Sequence, residues 1–222
     1  MKYNFDEIID RTNSNSLKFD FTAERKKPQG VLPLWVADMD FRAPQEVLDA
    51  LSEKIKHGVF GYSDPKEDYF AAVRSWFSAH YGWEPESRKL LQTCGVVYSI
   101  CTLLEALTQE EDSVIICQPV YYPFEESIVE NNRKLVVSEL KYENGSYQID
   151  FEDFERKIEE EDVKLFILCN PHNPVGRVWT REELTRLSEI CYRHNVFVIA
   201  DEIHADFVYK PHVFTSYATL GE

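Results

Sequence analysis

Four short stretches of this chain end an apolar run on side chains that can do chemistry. The last is the plainest: Val198-Ile199-Ala200 delivers Asp201 and Glu202 to the end of a strand-like run. A carboxylate at such a buried position must be protonated or meet a cation, and a protonated aromatic nitrogen is the kind of partner that keeps it ionised. Upstream, Cys169-Asn170-Pro171-His172-Asn173-Pro174-Val175-Gly176 packs two Asn-Pro steps and a glycine into one rigid, non-helical loop. Asn170 and Asn173 can each donate and accept hydrogen bonds there. Earlier still, Gln118-Pro119-Val120-Tyr121-Tyr122-Pro123-Phe124 holds aromatic rings between two prolines. Such a face can stack on a flat ring, and it can equally be core. Finally, Gly95-Val96-Val97 opens a helix, where backbone N–H groups can approach a phosphate. Alone, that glycine reads as well as a plain turn. It is not G-x-G-x-x-G, so a dinucleotide fingerprint is absent.

The elements that must carry these residues alternate. Strands are expected at about 90–94, 113–117, 134–140, 164–169 and 196–200. Helices are expected at about 97–108, 122–131, 150–161 and 181–194, the last with Thr180 as N-cap and Glu183 as its box partner. Apolar strands joined by helices mean a mostly parallel α/β sheet with helices on both faces. Ligands in such sheets bind beyond the carboxyl ends of the strands, where all four stretches fall. Before residue 90, a helix over about 44–57 shows Val47, Leu48, Leu51 and Ile55 on one face. A second helix is expected to start at Asp64-Pro65 with Glu67 as box partner, and to present Phe70, Val73, Phe77 and Tyr81. Residues 1–42 read as irregular, with the Trp35–Phe41 block an ordered loop.

The totals exclude several classes. A formal charge of −15 repels nucleic acid and anionic membrane. No apolar run approaches the roughly 18 residues of a membrane helix, and the polar, acidic start does not fit a signal peptide. Five scattered cysteines without a C-x-x-C pair read as small buried hydrophobes of a reducing cytosol, and six histidines show no zinc spacing, so no metal is expected. The expected location is cytoplasmic.

Taken in order, Gly95-Val96-Val97, Pro119-x-Tyr121-x-x-Phe124, Asn170 to Gly176 and Asp201-Glu202-Ile203-His204 resemble the fold-type I pyridoxal 5′-phosphate (PLP) enzymes of the class I/II aminotransferase group. "LPLWVADMDF" and "ADEIHADFVY" look most like its cystathionine β-lyase-like C–S lyase branch. The resemblance implies a role for each residue. Asp201 would pair with the pyridine nitrogen, Asn173 with the ring hydroxyl oxygen, and Tyr121 would stack on the ring. The N–H groups of Val96 and Val97 would hold the phosphate. Tyr62 would reach the phosphate of a neighbouring subunit in a homodimer, and Trp35 and Asp38 would border the substrate pocket. It also implies that 1–42 belong to a small domain and 43–222 to the large PLP-binding domain. The substrate would be a small amino acid: a cysteine S-conjugate, split to thiol, pyruvate and ammonia. A class I/II aminotransferase is the alternative enzyme. His204, where aminotransferases often carry tyrosine, favours the lyase.

No matching motif supplies the lysine by which the family holds its cofactor. Lys210 reads as a solvated turn residue, so that lysine is expected beyond Glu222, with the strands that separate 90–94 from 196–200. By itself the chain is then expected to be inactive and to expose strand edges, and a non-catalytic interaction module is the remaining alternative.

Overall fold

The computed structural model describes residues 3–28 and 30–221. They form two compact units, divided between Ser63 and Asp64.

In the first unit, one helix, α1 (Gln45–His57), follows a long irregular segment. Its apolar face is open: Val47, Leu51 and Ile55 are all exposed. The irregular segment is tied by charge. Arg11 meets Asp38 and, at 2.7 Å, Asp40; the buried Lys18 reaches the Asp40 carboxylate at 2.7 Å and the Asp38 carbonyl at 3.1 Å. The Lys18 ammonium and the Arg11 guanidinium hold the Asp40 carboxyl below its ordinary range. The acidic residues that break the periodicity of Trp35–Phe41 are thus the residues that anchor it. Trp35 lies under Arg25 and Lys27, at 5.0 and 5.6 Å from their charged ends.

The second unit begins with α2 (Glu67–Tyr81). Its N-cap is Lys66 and not Asp64: Lys66 is extended, so the helix opens too late for the Asp64 side chain to cap it, and no side-chain cap bond forms. Phe70, Val73, Phe77 and Tyr81 share its half-buried face. Next comes α3 (Val96–Leu107), then β1 (Ser113–Gln118), α4 (Pro123–Glu130) and β2 (Lys134–Glu139). A hairpin of β3 (Lys141–Glu143) and β4 (Ser146–Gln148) precedes α5 (Phe151–Glu160), β5 (Val163–Cys169), α6 (Arg181–Arg193) and β6 (Phe197–Asp201). The main sheet runs β2-β1-β5-β6 with every pair parallel.

Alternation along the strands builds two cores. Val114 and Ile116 of β1 with Leu165 and Ile167 of β5 face α3 and α4, meeting Ile100, Leu104, Phe124 and Ile128. Ile115, Phe166 and Leu168 face α5 and α6, meeting Phe154, Ile158, Leu184 and Leu187. Each large side chain so buried contributes about 1.5–3 kcal/mol. The start of α6 carries the expected capping box between Thr180 and Glu183.

Two further points differ from expectation. Residues 90–94 are not a strand: a short 3₁₀ turn at Ser87–Lys89 leads into an extended, unpaired segment, and Leu91 is 89% exposed. A strand exists only by its ladder, and neither edge of the sheet reaches this segment among the described residues. The hairpin was not expected either. Asn144 and Gly145 both take positive φ, 51° and 80°, as a two-residue hairpin turn requires.

Candidate active site

The carboxyl ends of β1, β5 and β6 and the amino end of α3 supply the site residues of the second unit. Asp201 closes β6 and is 7% exposed. Its carboxylate accepts one hydrogen bond among the described residues, from the Ile203 N–H at 3.1 Å. Burial pushes its carboxyl above the ordinary carboxylate value, while the Ile203 N–H and the nearby His204 pull the other way. An acid held in this way is short of a cation.

Across the sheet, Cys169 of β5 is register partner of Asp201. The Asn170 N–H donates to the Asp201 carbonyl at 2.9 Å, tying the Asn-Pro loop to the end of β6. Asn173 is half-buried; its backbone N–H donates to the Cys169 Sγ at 3.4 Å, and its side-chain amide has no partner among the described residues. Asn170 is fully buried, donating its amide to the Thr215 carbonyl at 3.0 Å and leaving Oδ1 unpaired.

Tyr121 lies after β1, half-buried and edge-on to Phe124 at 6.0 Å. Burial, then the charges of Tyr122 and Asp201, raises its phenol's pKa, which places it within electrostatic reach of Asp201. Val96 and Val97 are the first two residues of α3, directly after Gly95. The first intrahelical bond comes from the Ser99 N–H to the Gly95 carbonyl at 3.0 Å, so the earlier N–H groups are open. Val96 and Asp201 line the same cavity, of about 400 Å³. Thus Tyr121, Asn173 and Asp201 follow or close the carboxyl ends of β1, β5 and β6, Val96 and Val97 open α3, and of these Val96 and Asp201 line one cavity. Trp35, Asp38 and Tyr62 belong to the first unit. There Asp38 pairs with Arg11, and Tyr62 lies fully exposed.

Further hydrogen bonds stand behind these groups. Glu202 accepts from the Ser216 hydroxyl at 2.8 Å and the Tyr217 N–H at 2.6 Å, closing the loop that follows Asp201. His172, 3% exposed, reaches the Pro119 carbonyl at 2.9 Å. The signal for Glu202 was its place beside Asp201 at a buried strand end; none marked its partners. Cys117, Cys169 and Cys191 are buried, and burial pushes the thiols of Cys169 and Cys191 up to about 12. Cys94 is exposed, contrary to expectation, because its segment has no strand neighbour.

The chain belongs to the aminotransferase class I and II family, whose model matches residues 29–222. It is 42% identical to cystathionine β-lyase PatB of Bacillus subtilis over 99% of this chain and 57% of that protein. A PLP-bound putative aminotransferase from Clostridium difficile superposes with a TM-score of 0.94 at 43% identity, over 99% of this chain and 56% of the other. The PLP-bound C–S lyase of Staphylococcus hominis, complexed with L-cycloserine, gives 0.92 at 36% identity, over 98% and 56%. The fold is therefore that of the fold-type I enzymes, and the resemblance to the C–S lyase branch holds. The chain spans just over half the length of these relatives.

Proposed function

We propose that this chain forms the cofactor-holding part of a PLP-dependent C–S β-lyase, acting on a cysteine S-conjugate such as cystathionine to give a thiol, pyruvate and ammonia. The observation that carries it is Asp201, a buried carboxylate that pairs with no cation among the described residues, at the end of β6, with Asn173 and Tyr121 following β5 and β1 and the open start of α3 lining the same cavity. PLP fits this set. Its phosphate suits the free N–H groups of Val96 and Val97, its ring oxygen the unpaired Asn173 amide, and its ring nitrogen Asp201.

When bound, PLP supplies a protonated ring that takes up the electron pair left as the substrate loses its α-proton. Asp201 keeps the proton on the ring nitrogen. Tyr121 covers one face and excludes water from it. Among the described residues no lysine lines the cavity beside Asp201. Trp35 and Asp38 bordering the substrate, Tyr62 reaching a partner subunit's phosphate, a homodimer, residues 1–42 in a smaller domain and a cytoplasmic location belong to the same reading. Among the described residues no helix is long and apolar enough to cross a membrane.

An aminotransferase is the second reading, favoured by the name of the C. difficile relative. The test is to supply PLP and cystathionine to the working protein and compare pyruvate release with amino transfer to a keto acid. Faster pyruvate release supports the lyase. Transfer without pyruvate release refutes it.

A further inference from the structure

His172 stands between two loops that the proposed site needs in register. Its backbone is fixed on both sides: its N–H donates to the Arg177 carbonyl at 2.7 Å, and its carbonyl accepts from the Gly176 N–H at 2.9 Å. Its ring packs edge-on to Trp179, 5.3 Å away, and Trp179 is itself held by an Nε1–H bond to the Cys169 carbonyl at 3.0 Å. From this rigid base, Nε2 reaches the Pro119 carbonyl at 2.9 Å. A carbonyl only accepts, so Nε2 carries the proton and the ring is the Nε2–H tautomer. Nδ1 is buried without a partner.

On the other side of that bond, the Tyr121 phenol makes no hydrogen bond among the described residues. Its ring meets Tyr122 at 5.5 Å and Phe124 at 6.0 Å and packs against the core that holds Ile100 and Leu104, and its carbonyl accepts from the Phe124 N–H at 3.0 Å. Pro119 has no N–H to offer; between the Gln118 carbonyl, which accepts from the Leu140 N–H at 2.7 Å, and the start of α4, the His172 bond is a further tie on the loop. Asn173 follows His172 directly.

We propose that His172 is a positioning residue: through Nε2–H it fastens the Tyr121 loop to the Asn170–Gly176 loop and so sets the spacing between the ring-covering tyrosine and the Asn173 amide. The inference rests on the cofactor reading above only for what that spacing serves. A histidine that merely filled space would be replaced equally well by any side chain of similar size. One that donates would be replaced by a donor alone.

The experiment compares His172→Leu, which fills the space without donating, with His172→Gln, whose amide can donate from a similar reach. The first readout needs no cofactor: hydrogen exchange within 120–124 in the chain itself, at the N–H groups of Val120, Tyr121, Tyr122 and Phe124. The second is the affinity and induced circular dichroism of pyridoxamine 5′-phosphate, which binds without a covalent link. His172→Leu is expected to speed exchange at 120–124 by about tenfold and to weaken the affinity by a similar factor, while His172→Gln stays within about threefold of the parent, the scale of one lost hydrogen bond. Unchanged exchange in His172→Leu overturns the proposal, as does a His172→Gln variant no better than leucine. Should leucine prevent folding, the glutamine variant still decides: native exchange at 120–124 supports the donor role, and loosened exchange there in a folded protein overturns it. A parent chain with no affinity for pyridoxamine 5′-phosphate, but with the expected exchange pattern, would refute the cofactor reading and support the coupling of the loops.

Discussion

Asp201→Asn should move stability and binding in opposite directions. The change is nearly isosteric, and the Asn carbonyl oxygen can still accept from the Ile203 N–H. In the chain without cofactor, burial raises the Asp201 carboxyl above its ordinary 3.8. A folded-state pKa above the unfolded value means that the ionised form is disfavoured by folding. The cost is absent below the unfolded value and grows as pH rises through the folded one. Asn removes it, so the thermal midpoint of the empty chain should rise at pH 7, and the gain should fade as pH falls towards 3.8. Binding goes the other way. A charge-assisted hydrogen bond is worth about 1.5–3 kcal/mol, which is about 10- to 150-fold in Kd, and Asn cannot hold the proton on a pyridine nitrogen. Titration with pyridoxamine 5′-phosphate, followed by its fluorescence, measures the loss; circular dichroism melts at pH 7 and pH 4 measure the gain. An affinity unchanged by the substitution, or an empty chain that is less stable at pH 7, would refute the reasoning.

Other outcomes follow from the packing and caps. Phe154→Ala removes a fully buried ring packed edge-on to Phe166 at 4.9 Å, and should cost about 3–5 kcal/mol in urea unfolding. Thr180→Ala deletes the α6 capping box, and should cost about 1 kcal/mol by the same measurement. Burial holds His172 at about 4, below its ordinary 6.5. The stability this represents is complete above pH 6.5 and is lost as pH falls to about 4, a total of roughly 3 kcal/mol. Unfolding curves across that range should show a slope that His172→Gln lacks.

Much of the second unit was legible because its signals are local. Strands buried on both faces are continuous apolar runs, and Ser113–Gln118 and Val163–Cys169 fall within a residue or so of expectation. Thr180 and Glu183 announce their helix three residues apart. What failed is what depends on partners. Leu90–Cys94 is apolar enough for a strand, yet pairing is a property of two segments, and among the described residues no strand pairs with it. The Asn144-Gly145 pair is a local hairpin signal set inside a β/α alternation that does not call for one. Asp201 and Glu202 could be singled out because carboxylates end an apolar run, while the roles of Asn173 and Tyr121 came from the order of motifs that the family shares. The partners of His172 and Glu202 could not be read, because the Pro119 carbonyl and the Ser216 hydroxyl are tied to them by no spacing.

The places where this protein breaks its own rules coincide with the proposed site. Among the described residues the buried side-chain atoms without a partner are Asn170 Oδ1 and His172 Nδ1, two residues apart in one loop. Asp201, whose acidity burial opposes, is hydrogen-bonded to that same loop through the Asn170 N–H. Each unpaired buried polar atom costs on the order of 1–3 kcal/mol, and a sheet end built for stability alone would place apolar residues there, as Ile115 and Phe166 do further down. Sequence, packing and capping agree elsewhere in the sheet, so the conflict is local and has a local cause. A group that brings a cation to Asp201 removes one cost directly. The two orphaned acceptors lie in the loop that such a group must touch through Asn173. The unpaired atoms and the opposed acidity therefore fall on Asp201 and on the one loop hydrogen-bonded to it.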